Sequence, residues 1–221
     1  MSHSSTCPNY GVATDFLQQS DPILGKVISK IGLCQLKPSS ESDLISAIAQ
    51  GIISQQISTI AASAIYQRFL QLYTDYGSTE EKAKAILETP EEKLREAGIS
   101  RPKIRYLKDL AQKTLSDLPT LEQLETKDDQ EIIEIVTQVK GVGNWTAQML
   151  LMFSLNRQDV LPIDDLGVRK AIKNLYNLTE LPTRLSVEEL GNKWKPYRSI
   201  ACWYLWKSLE LEINKNNIGL L

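Results

Sequence analysis

The chain has 221 residues, 42% hydrophobic and 24% charged, which is typical of a globular protein with one large domain or two small ones. No apolar run reaches the roughly 20 residues of a membrane span, and Met1–Tyr10 lacks the apolar core of a signal peptide, so we expect no membrane association and an intracellular location, cytoplasmic, nucleoid or nuclear. Cys7, Cys34 and Cys202 are far apart and His3 is the only histidine, which argues against a disulfide framework, a zinc site and histidine-dependent hydrolysis.

Charge is unevenly distributed along the chain. Residues 1–139 carry 14 Lys and Arg against 19 Asp and Glu, whereas residues 140–207 carry 10 against 6. A basic segment in a chain of net charge −2 is compatible with an anionic partner at that segment, and equally with an ordinary solvated surface.

Helical periodicity dominates the sequence, and no segment alternates at period two for long enough to form a sheet. The pattern predicts an all-α protein of roughly ten helices, including 42–53, 58–76, 90–97, 102–115, 128–139, 144–156, 165–177, 186–193 and 196–212. Ser42 or Asp43 can cap the first of these. In helix 58–76 we expect an inward face formed by Ile60, Ala61, Ala64, Ile65, Phe69 and Tyr73.

Two glycines one residue apart separate the helices predicted at 128–139 and 144–156. The run is Val139-Lys140-Gly141-Val142-Gly143-Asn144-Trp145-Thr146-Ala147. The glycines permit a sharp turn, after which the first amides of the next helix point outward. Such amides can bind a phosphate, but a tight turn with only a packing role explains the same residues.

Two adjacent carboxylates follow about twenty residues after Trp145, in the run Leu161-Pro162-Ile163-Asp164-Asp165-Leu166-Gly167-Val168. Both lie at a predicted helix start, where free amides and the helix dipole stabilise anions. Taken alone, both aspartates can be helix caps.

The glycine turn, a second helix, and then a proline and an aspartate entering a third helix resemble the helix-hairpin-helix, Gly/Pro-Asp superfamily of DNA glycosylases. Its alkylation-repair branch, DNA-3-methyladenine glycosylase II, is the most similar, through Trp145, the aromatic segment from Trp194 to Trp206, and Ile53-Ser54-Gln55-Gln56-Ile57-Ser58. The similarity covers about residues 20–210.

This resemblance implies a helix-hairpin-helix glycosylase fold, with two helical subdomains and the active-site cleft between them. It divides the chain into an N-terminal arm with a first helix, 1–20, and a glycosylase domain, 21–221, with the hairpin at 128–156 and the catalytic segment at 160–177. The implied enzyme acts in base excision repair, flipping 3-methyladenine or 7-methylguanine out of the duplex and hydrolysing its N-glycosidic bond. The expected partner is double-stranded DNA with alkylated bases, bound by a monomer.

The resemblance also implies roles for single residues. Asp165 is the implied catalytic carboxylate, which faces the sugar as oxocarbenium character develops, and Asp164 is the implied helix cap and a neighbour of the substrate. A cationic base would be held by three side chains, Trp145, Met149 and Trp206, although a tryptophan can equally belong to the core. For Trp194 and Trp203 we expect core positions.

DNA contacts are implied in two turns and around them. The residues concerned are Gln55, Gln56, Ser58, Lys103, Lys140, Gly141, Gly143 and Thr146. Gln56 would fill the gap left by the flipped base, although two exposed loop glutamines would give the same sequence. Further phosphate contacts are expected among Lys140, Arg157, Lys170 and Arg198. No cofactor is required, but a structural Na+ or K+ ion is implied at the hairpin, on the backbone carbonyls of Thr137, Val139 and Val142.

Trp145 stands where related bifunctional glycosylases have a nucleophilic lysine, so the resemblance implies a monofunctional enzyme without lyase activity. The cysteines that bind an iron–sulfur cluster in some relatives are missing from the sequence. Two other functions stay open: a catalytically silent helix-hairpin-helix module that recognises damaged DNA, and a helical scaffold without a nucleic-acid role. The Asp164-Asp165 pair favours the enzyme over the module, and the basic segment 140–207 disfavours the scaffold.

Overall fold

The computed structural model describes residues 10–37 and 43–218, with the backbone alone for 212–218, so the interpretations of His3, Cys7 and Ser42 lie outside it. Within these residues the chain forms α-helices joined by short loops and contains no β-strand, which confirms the all-α prediction. The helices are α1 (Gly11–Ser20), α2 (Pro22–Ile31), α3 (Leu44–Ser54), α4 (Thr59–Gln71), α5 (Thr79–Glu88), α6 (Glu91–Glu96), α7 (Arg101–Ser116), α8 (Leu121–Glu125), α9 (Asp129–Val136), α10 (Asn144–Met149), α11 (Leu166–Leu175), α12 (Arg184–Gly191) and α13 (Arg198–Ile218).

The described residues divide into two compact units. The terminal unit contains the described parts of 1–38 and 156–221, and the central unit contains those of 39–155. Helix α1 belongs to the same unit as α2, and the two approach so closely that a Cβ on Gly25 would lie 2.9 Å from the carbonyl oxygen of Gln18. The boundaries of the two units fall near 38 and 155.

A buried carboxylate organises the core of the terminal unit. Asp21 is 1% exposed, and one oxygen caps α2 by accepting two amides of its first turn at 3.1 and 3.3 Å. The other oxygen accepts the hydroxyl of Tyr176 and, at 3.1 Å, the indole N–H of Trp194. Burial and this carboxylate both raise the pKa of Tyr176. Trp194 and Trp203 are buried, which confirms their expected core positions.

The core of the central unit is built around α3 and α7. Helix α3 is apolar nearly all round, and eight of its eleven residues are buried. Helix α7 buries a single stripe, formed by Ile104, Leu107, Leu110 and Ala111 as the periodicity predicts. At Gly51 a Cβ would lie 2.6 Å from the methyl group of Thr146, so a glycine there lets α3 approach α10.

The face predicted for helix 58–76 is wrong in its first half, although Phe69 and Tyr73 are buried as predicted. Ile60 is 86% exposed, and Ala61 and Ala64 are also exposed. The buried positions of α4 are Ala62, Tyr66, Phe69 and, just beyond its end, Tyr73. The hydroxyl of Tyr66 donates to the carbonyl of Ser46 at 3.1 Å. Tyr66, whose hydroxyl has a hydrogen-bond partner, therefore faces inward, whereas hydrophobicity alone had assigned an inward position to Ile60.

Three helices were not predicted, although their capping signals are present in the sequence. Helix α2 follows Asp21-Pro22, while α5 and α8 begin with capping boxes, Ser78 with Glu81 and Thr120 with Gln123. The predicted helix 144–156 is continuous only to Met149 and then forms one π-helical turn, Leu150–Ser154. Helix α8 and the π turn have five residues each, which is too short to repeat an apolar stripe.

Candidate functional site

The turn between α3 and α4, residues 55–58, carries the two glutamines singled out from the sequence. Gln55 ends α3, and its side-chain amide donates to the carbonyl of Gly141 at 2.8 Å and to the hydroxyl of Thr146 at 3.1 Å. Gln56 is exposed and has φ +58, a left-handed conformation that is unfavourable for a residue with a Cβ. Ser58 caps α4 by accepting the amide of Ala61 at 3.3 Å.

The side chain of Lys103, near the start of α7, donates hydrogen bonds to the backbone at the beginning of the α3–α4 turn. Its ammonium group donates to the carbonyls of Ile53 and Gln55 at 2.8 and 2.7 Å. Partial burial lowers the pKa of Lys103. Two of the three N–H donors of this ammonium group are used by backbone carbonyls at the end of α3. The lysine therefore caps the C-terminus of that helix.

The glycine turn between α9 and α10 has different requirements at its two glycines. Gly141 has φ +77, and a Cβ there would lie 2.2 Å from the ring of Tyr106. Gly143 has extended backbone, with φ −105 and ψ −179, and a Cβ on it would meet nothing within 4 Å. Gly141 is therefore needed by the fold, whereas Gly143 leaves open space in front of the first amides of α10.

An acidic residue on α7 holds the same turn from the other side. Asp109 accepts the backbone amide of Lys140 at 2.8 Å, and it pairs with the ammonium groups of Lys113 at 2.9 Å and Lys140 at 3.3 Å. Burial alone would raise the pKa of Asp109, but these hydrogen bonds and the charge of Lys113 outweigh it and lower that pKa. Sequence reasoning missed Tyr106 and Asp109, because no local signal marks a residue that supports a distant turn.

Trp145 and Met149 lie one helical turn apart on α10, and both are partly exposed. Four-residue spacing places two side chains on one face of a helix. The structure thus gives the central unit a mixed aromatic and thioether surface immediately after the glycine turn. Thr146, between them, is 4% exposed and receives the hydrogen bond from Gln55.

In the terminal unit, Asp165 is the N-cap of α11. Its Oδ1 accepts the amide of Val168 at 2.7 Å and the indole N–H of Trp206 at 2.8 Å. A Cβ on Gly167 would lie 2.9 Å from the Trp206 ring and 3.0 Å from the same carboxylate oxygen, so only glycine fits without a shift. Asp165 is only partly buried, so an orientated carboxylate at a helix N-terminus is within reach of solvent.

The role predicted for Asp164 as the helix cap is wrong, because Asp165 occupies the cap position. Asp164 is exposed and forms a two-pronged ion pair with Arg184, with N–O distances of 2.5 and 2.7 Å. A helix has a single N-cap position. Only one of two neighbouring aspartates can occupy it and accept the amide of Val168.

Comparison with known proteins shows which family the chain belongs to. Residues 49–196 match the family model of the HhH-GPD superfamily base excision DNA repair proteins. The chain belongs to this family. The predicted helix-hairpin-helix glycosylase fold is thereby confirmed.

Relatives within the family are similar over most of their length. DNA-3-methyladenine glycosylase 1 of Schizosaccharomyces pombe is 40% identical over 178 residues, which are 79% of this chain and 75% of the relative. The alkylbase DNA glycosidase-like protein mag2 of the same organism is 32% identical over 200 residues, 90% of this chain and 93% of that protein. The structure of S. pombe 3-methyladenine DNA glycosylase Mag1 in complex with abasic DNA superposes with a TM-score of 0.82 at 35% identity, covering 90% of this chain and 97% of that one.

Two other charged residues that the HhH-GPD resemblance singled out differ in their surroundings. Arg198 donates twice to the carboxylate of Asp159, at 2.6 and 2.9 Å, and once to its carbonyl at 2.7 Å. Lys170 is exposed. Among the described residues, no group of three or more His, Cys, Asp or Glu could hold a metal ion, and no helix is long and apolar enough to cross a membrane.

Proposed function

We propose that this chain is a monofunctional DNA glycosylase that flips alkylated purines, such as 3-methyladenine and 7-methylguanine, out of duplex DNA and hydrolyses their N-glycosidic bond. The observation that carries the proposal is the Asp165 carboxylate, held at the start of α11 by the Val168 amide and the Trp206 indole, in a member of a base excision repair family. The names of the S. pombe relatives supply the substrate class. Such an enzyme works where genomic DNA lies, in a nucleus or a nucleoid.

The glycine turn would hold the DNA backbone. Gly143 has no side chain in front of the α10 amides, and no side chain caps that helix, so a phosphate oxygen can approach these N–H groups. Gly141 provides the bend that presents them. Contacts of this kind position DNA without reading its sequence, as a repair enzyme that searches for damage requires.

Asp165 would act on the sugar of the everted nucleotide. As the bond between C1′ and the base nitrogen breaks, its electron pair leaves with the base and positive charge develops on the sugar ring. An ionised carboxylate nearby stabilises that charge, orients a water and accepts its proton as the water oxygen bonds to C1′. The two hydrogen bonds to Oδ1 keep the group fixed at the start of α11.

Purines alkylated at N3 or N7 carry positive charge, so they leave readily and need no strong general acid. We propose that electron-rich faces select them, with Trp145, Met149 and Trp206 as the contributing side chains. Trp206 has the added task of holding Asp165. Asp164 could contribute to substrate binding only in exchange for its ion pair with Arg184.

Gln56 is the residue we propose to fill the space vacated by the flipped base. It is exposed and has positive φ at the tip of the α3–α4 turn, and strained residues of this kind concentrate at functional sites. Gln55 and Lys103 were proposed from the sequence as DNA contacts. In the structure the Gln55 side chain donates to the Gly141 carbonyl and to Thr146, and two of the three Lys103 donors are used by backbone carbonyls. Their effect on DNA binding would therefore be indirect.

The hairpin also suits a monovalent cation. Na+ and K+ are bound by oxygen atoms. Thr137 is the C-cap of α9, where the helix dipole is negative, and Val139 and Val142 lie in the turn that follows. We propose that these three carbonyls hold the ion, which would add positive charge beside a bound phosphate. With Trp145 in place of a nucleophilic lysine, the proposed enzyme has no lyase activity.

Release of free base from methylated duplex DNA tests the proposal. We expect release by the wild type, and loss of at least about 10³-fold in Asp165→Asn with DNA binding retained. Asp164→Asn removes the same charge one residue earlier, at an exposed ion pair, and should lose far less. Binding without release by the wild type would instead identify a silent recognition module, and neither activity would leave only a scaffold.

A further inference from the structure

Three side chains spaced three residues apart on α7 support both turns proposed to contact DNA. Lys103 donates to the backbone of Ile53 and Gln55, the ring of Tyr106 lies against Gly141, and Asp109 accepts the amide of Lys140. Residues at positions i, i+3 and i+6 follow one another along a single face of a helix. One stripe of α7 therefore reaches the α3–α4 turn at its first end and the glycine turn at its second.

The α3–α4 turn borders a cavity, so the packing around it is incomplete. A cavity of about 210 Å³ lies there, lined by Gln55, Gln56, Ile57, Ser100 and Lys103 among others. Ile57 is 39% exposed, so it does not anchor the turn in the core. The ammonium group of Lys103, at 2.7 Å from the carbonyl of Gln55, is the polar link directly before the strained Gln56.

The two turns are also joined to each other. The side chain of Gln55 bridges from the first turn to the carbonyl of Gly141, at 2.8 Å, and to Thr146 at 3.1 Å. Together with the α7 stripe, this bridge closes a ring of contacts: α7 to the first turn, the first turn to the glycine turn, and the glycine turn back to α7. A closed ring of contacts resists displacement of either turn more than separate contacts would.

We propose that Lys103, Tyr106, Asp109 and Gln55 are positioning residues that fix the α3–α4 turn and the glycine turn at one spacing. The inference rests on the proposed function: Gln56 could enter the duplex at the correct place only while the glycine turn holds the backbone. The four residues would contribute to base eversion, and they touch neither the base nor the sugar. For Lys103 the proposal replaces the predicted phosphate contact by a structural role, that of holding the α3–α4 turn in place. We refer to the contacts of these four residues with the two turns as the brace.

Hydrogen exchange in the free protein tests the brace without any reference to catalysis. The amides of Gln55 and Val142 are hydrogen-bonded, to the carbonyls of Ile52 at 3.4 Å and Val139 at 3.0 Å, so each reports on one turn. In Lys103→Met we expect both amides to exchange about tenfold faster, because loosening the first turn releases the Gln55 bridge. Lys103→Arg, which can donate to both carbonyls, should restore slow exchange.

Lys108 provides a matched control. It lies on the same helix, is also partly buried, and donates to a helix-end carbonyl, that of Leu87, at 3.2 Å, away from both turns. Lys108→Met should leave the Gln55 and Val142 amides unchanged. Two results would contradict the proposal. One is equally faster amide exchange in Lys103→Met and Lys108→Met, and the other is faster exchange at Gln55 with no change at Val142.

Base excision under single-turnover conditions then tests whether the positioning residues contribute to base eversion. Eversion is easier for a mismatched base, so we compare 7-methylguanine opposite cytosine with the same lesion in a mismatch. Lys103→Met should lose about tenfold on the paired lesion and far less on the mismatched one, whereas Lys108→Met should lose little on either. Equal loss on both DNAs overturns the proposal, because an effect on chemistry or folding would not depend on pairing.

If the wild type releases no base from either DNA, the proposed function fails. The hydrogen-exchange experiment still decides whether the two turns are held together.

Discussion

Asp165 shows how much the partners of one side chain contribute to its proposed role. Its Oδ1 accepts two hydrogen bonds, from a helix amide and from the indole of Trp206, and a glycine two residues ahead leaves the space that the indole needs. The carboxylate is therefore fixed before any substrate binds. Preorganised groups of this kind stabilise developing charge without a cost of rearrangement.

Replacing Trp206 by phenylalanine tests that arrangement. The ring remains but the N–H donor is lost, and a hydrogen bond to a charged group is worth about 1.5–3 kcal/mol. We expect the single-turnover excision rate to fall by about ten- to a hundredfold while affinity for undamaged DNA is unchanged. Trp203→Phe, at a buried residue of the same helix, is the control. Similar rates in the two variants would mean that the indole N–H has no part in catalysis.

The two glycines of the hairpin should respond in opposite ways to alanine. Gly141→Ala combines positive φ with a 2.2 Å contact to Tyr106, and should lower the free energy of unfolding by more than about 2 kcal/mol. Gly143→Ala meets no atom within 4 Å, so stability should change by less than about 0.5 kcal/mol while DNA affinity falls. Urea denaturation and fluorescence anisotropy measure the two quantities.

A double variant separates the two causes at Gly141. Adding Tyr106→Ala removes the steric contact but leaves the left-handed backbone, so it should recover part of the stability that Gly141→Ala loses. No recovery would show that the ring of Tyr106 does not constrain the turn. A loss of stability in Gly143→Ala as large as in Gly141→Ala would contradict the assignment of open space to Gly143.

At the scale of elements, the support of the glycine turn by α7 predicts a pH dependence. The pKa of Asp109 is lower in the folded protein than in the unfolded chain, so its contribution is present above the ordinary carboxyl pKa of about 4 and is lost as pH falls through the folded value. Asp109→Asn should destabilise the protein by on the order of 1 kcal/mol at pH 7, and this difference should shrink toward zero in acid.

Chemical denaturation between pH 7 and pH 3 measures that difference. Asp117, at the end of the same helix, is exposed, and Asp117→Asn should behave like the wild type at every pH. If the Asp109→Asn difference were constant with pH, the carboxylate charge would not be what holds the turn.

The elements themselves were predictable where an apolar stripe repeats. Helix α7 was predicted within one residue at each end because Ile104, Leu107, Leu110 and Ala111 recur at helical spacing and are buried. Helix α4 was located correctly, but its first half was given the wrong inward face, because Tyr66 is buried there with its hydroxyl bonded to the carbonyl of Ser46. Burial of an amphipathic ring depends on a partner far away in the chain, and periodicity does not contain that information.

At the scale of the whole molecule, the distribution of charge predicts an unusually weak salt dependence of DNA binding. The chain has a net charge of −2, and Lys103, Lys140 and Arg198 have partners inside the protein. Binding through backbone amides releases few counterions, so a plot of log affinity against log salt should have a slope no steeper than about −4. Anisotropy titrations across a KCl series measure it.

Single substitutions sharpen this prediction. Lys170→Gln removes an exposed charge and should make the slope shallower by about 1 if that lysine contacts a phosphate. Arg198→Gln breaks the pair with Asp159 and should lower stability without changing the slope. A steep wild-type slope would show that side-chain cations, rather than backbone amides, dominate the contact.

Local signals in the sequence were sufficient for the helical class, the glycine turn, the aspartate at a helix start and the family, because each depends on residues that are neighbours along the chain. The tertiary structure alone decided that Asp165 rather than Asp164 caps α11, and that Gln55 and Lys103 turn inward. It also revealed Tyr106 and Asp109 behind the glycine turn. The physical reason is that a hydrogen bond or close contact depends on distance in space, and the partners of Gln55, Lys103, Tyr106 and Asp109 lie between 31 and 91 residues away along the chain.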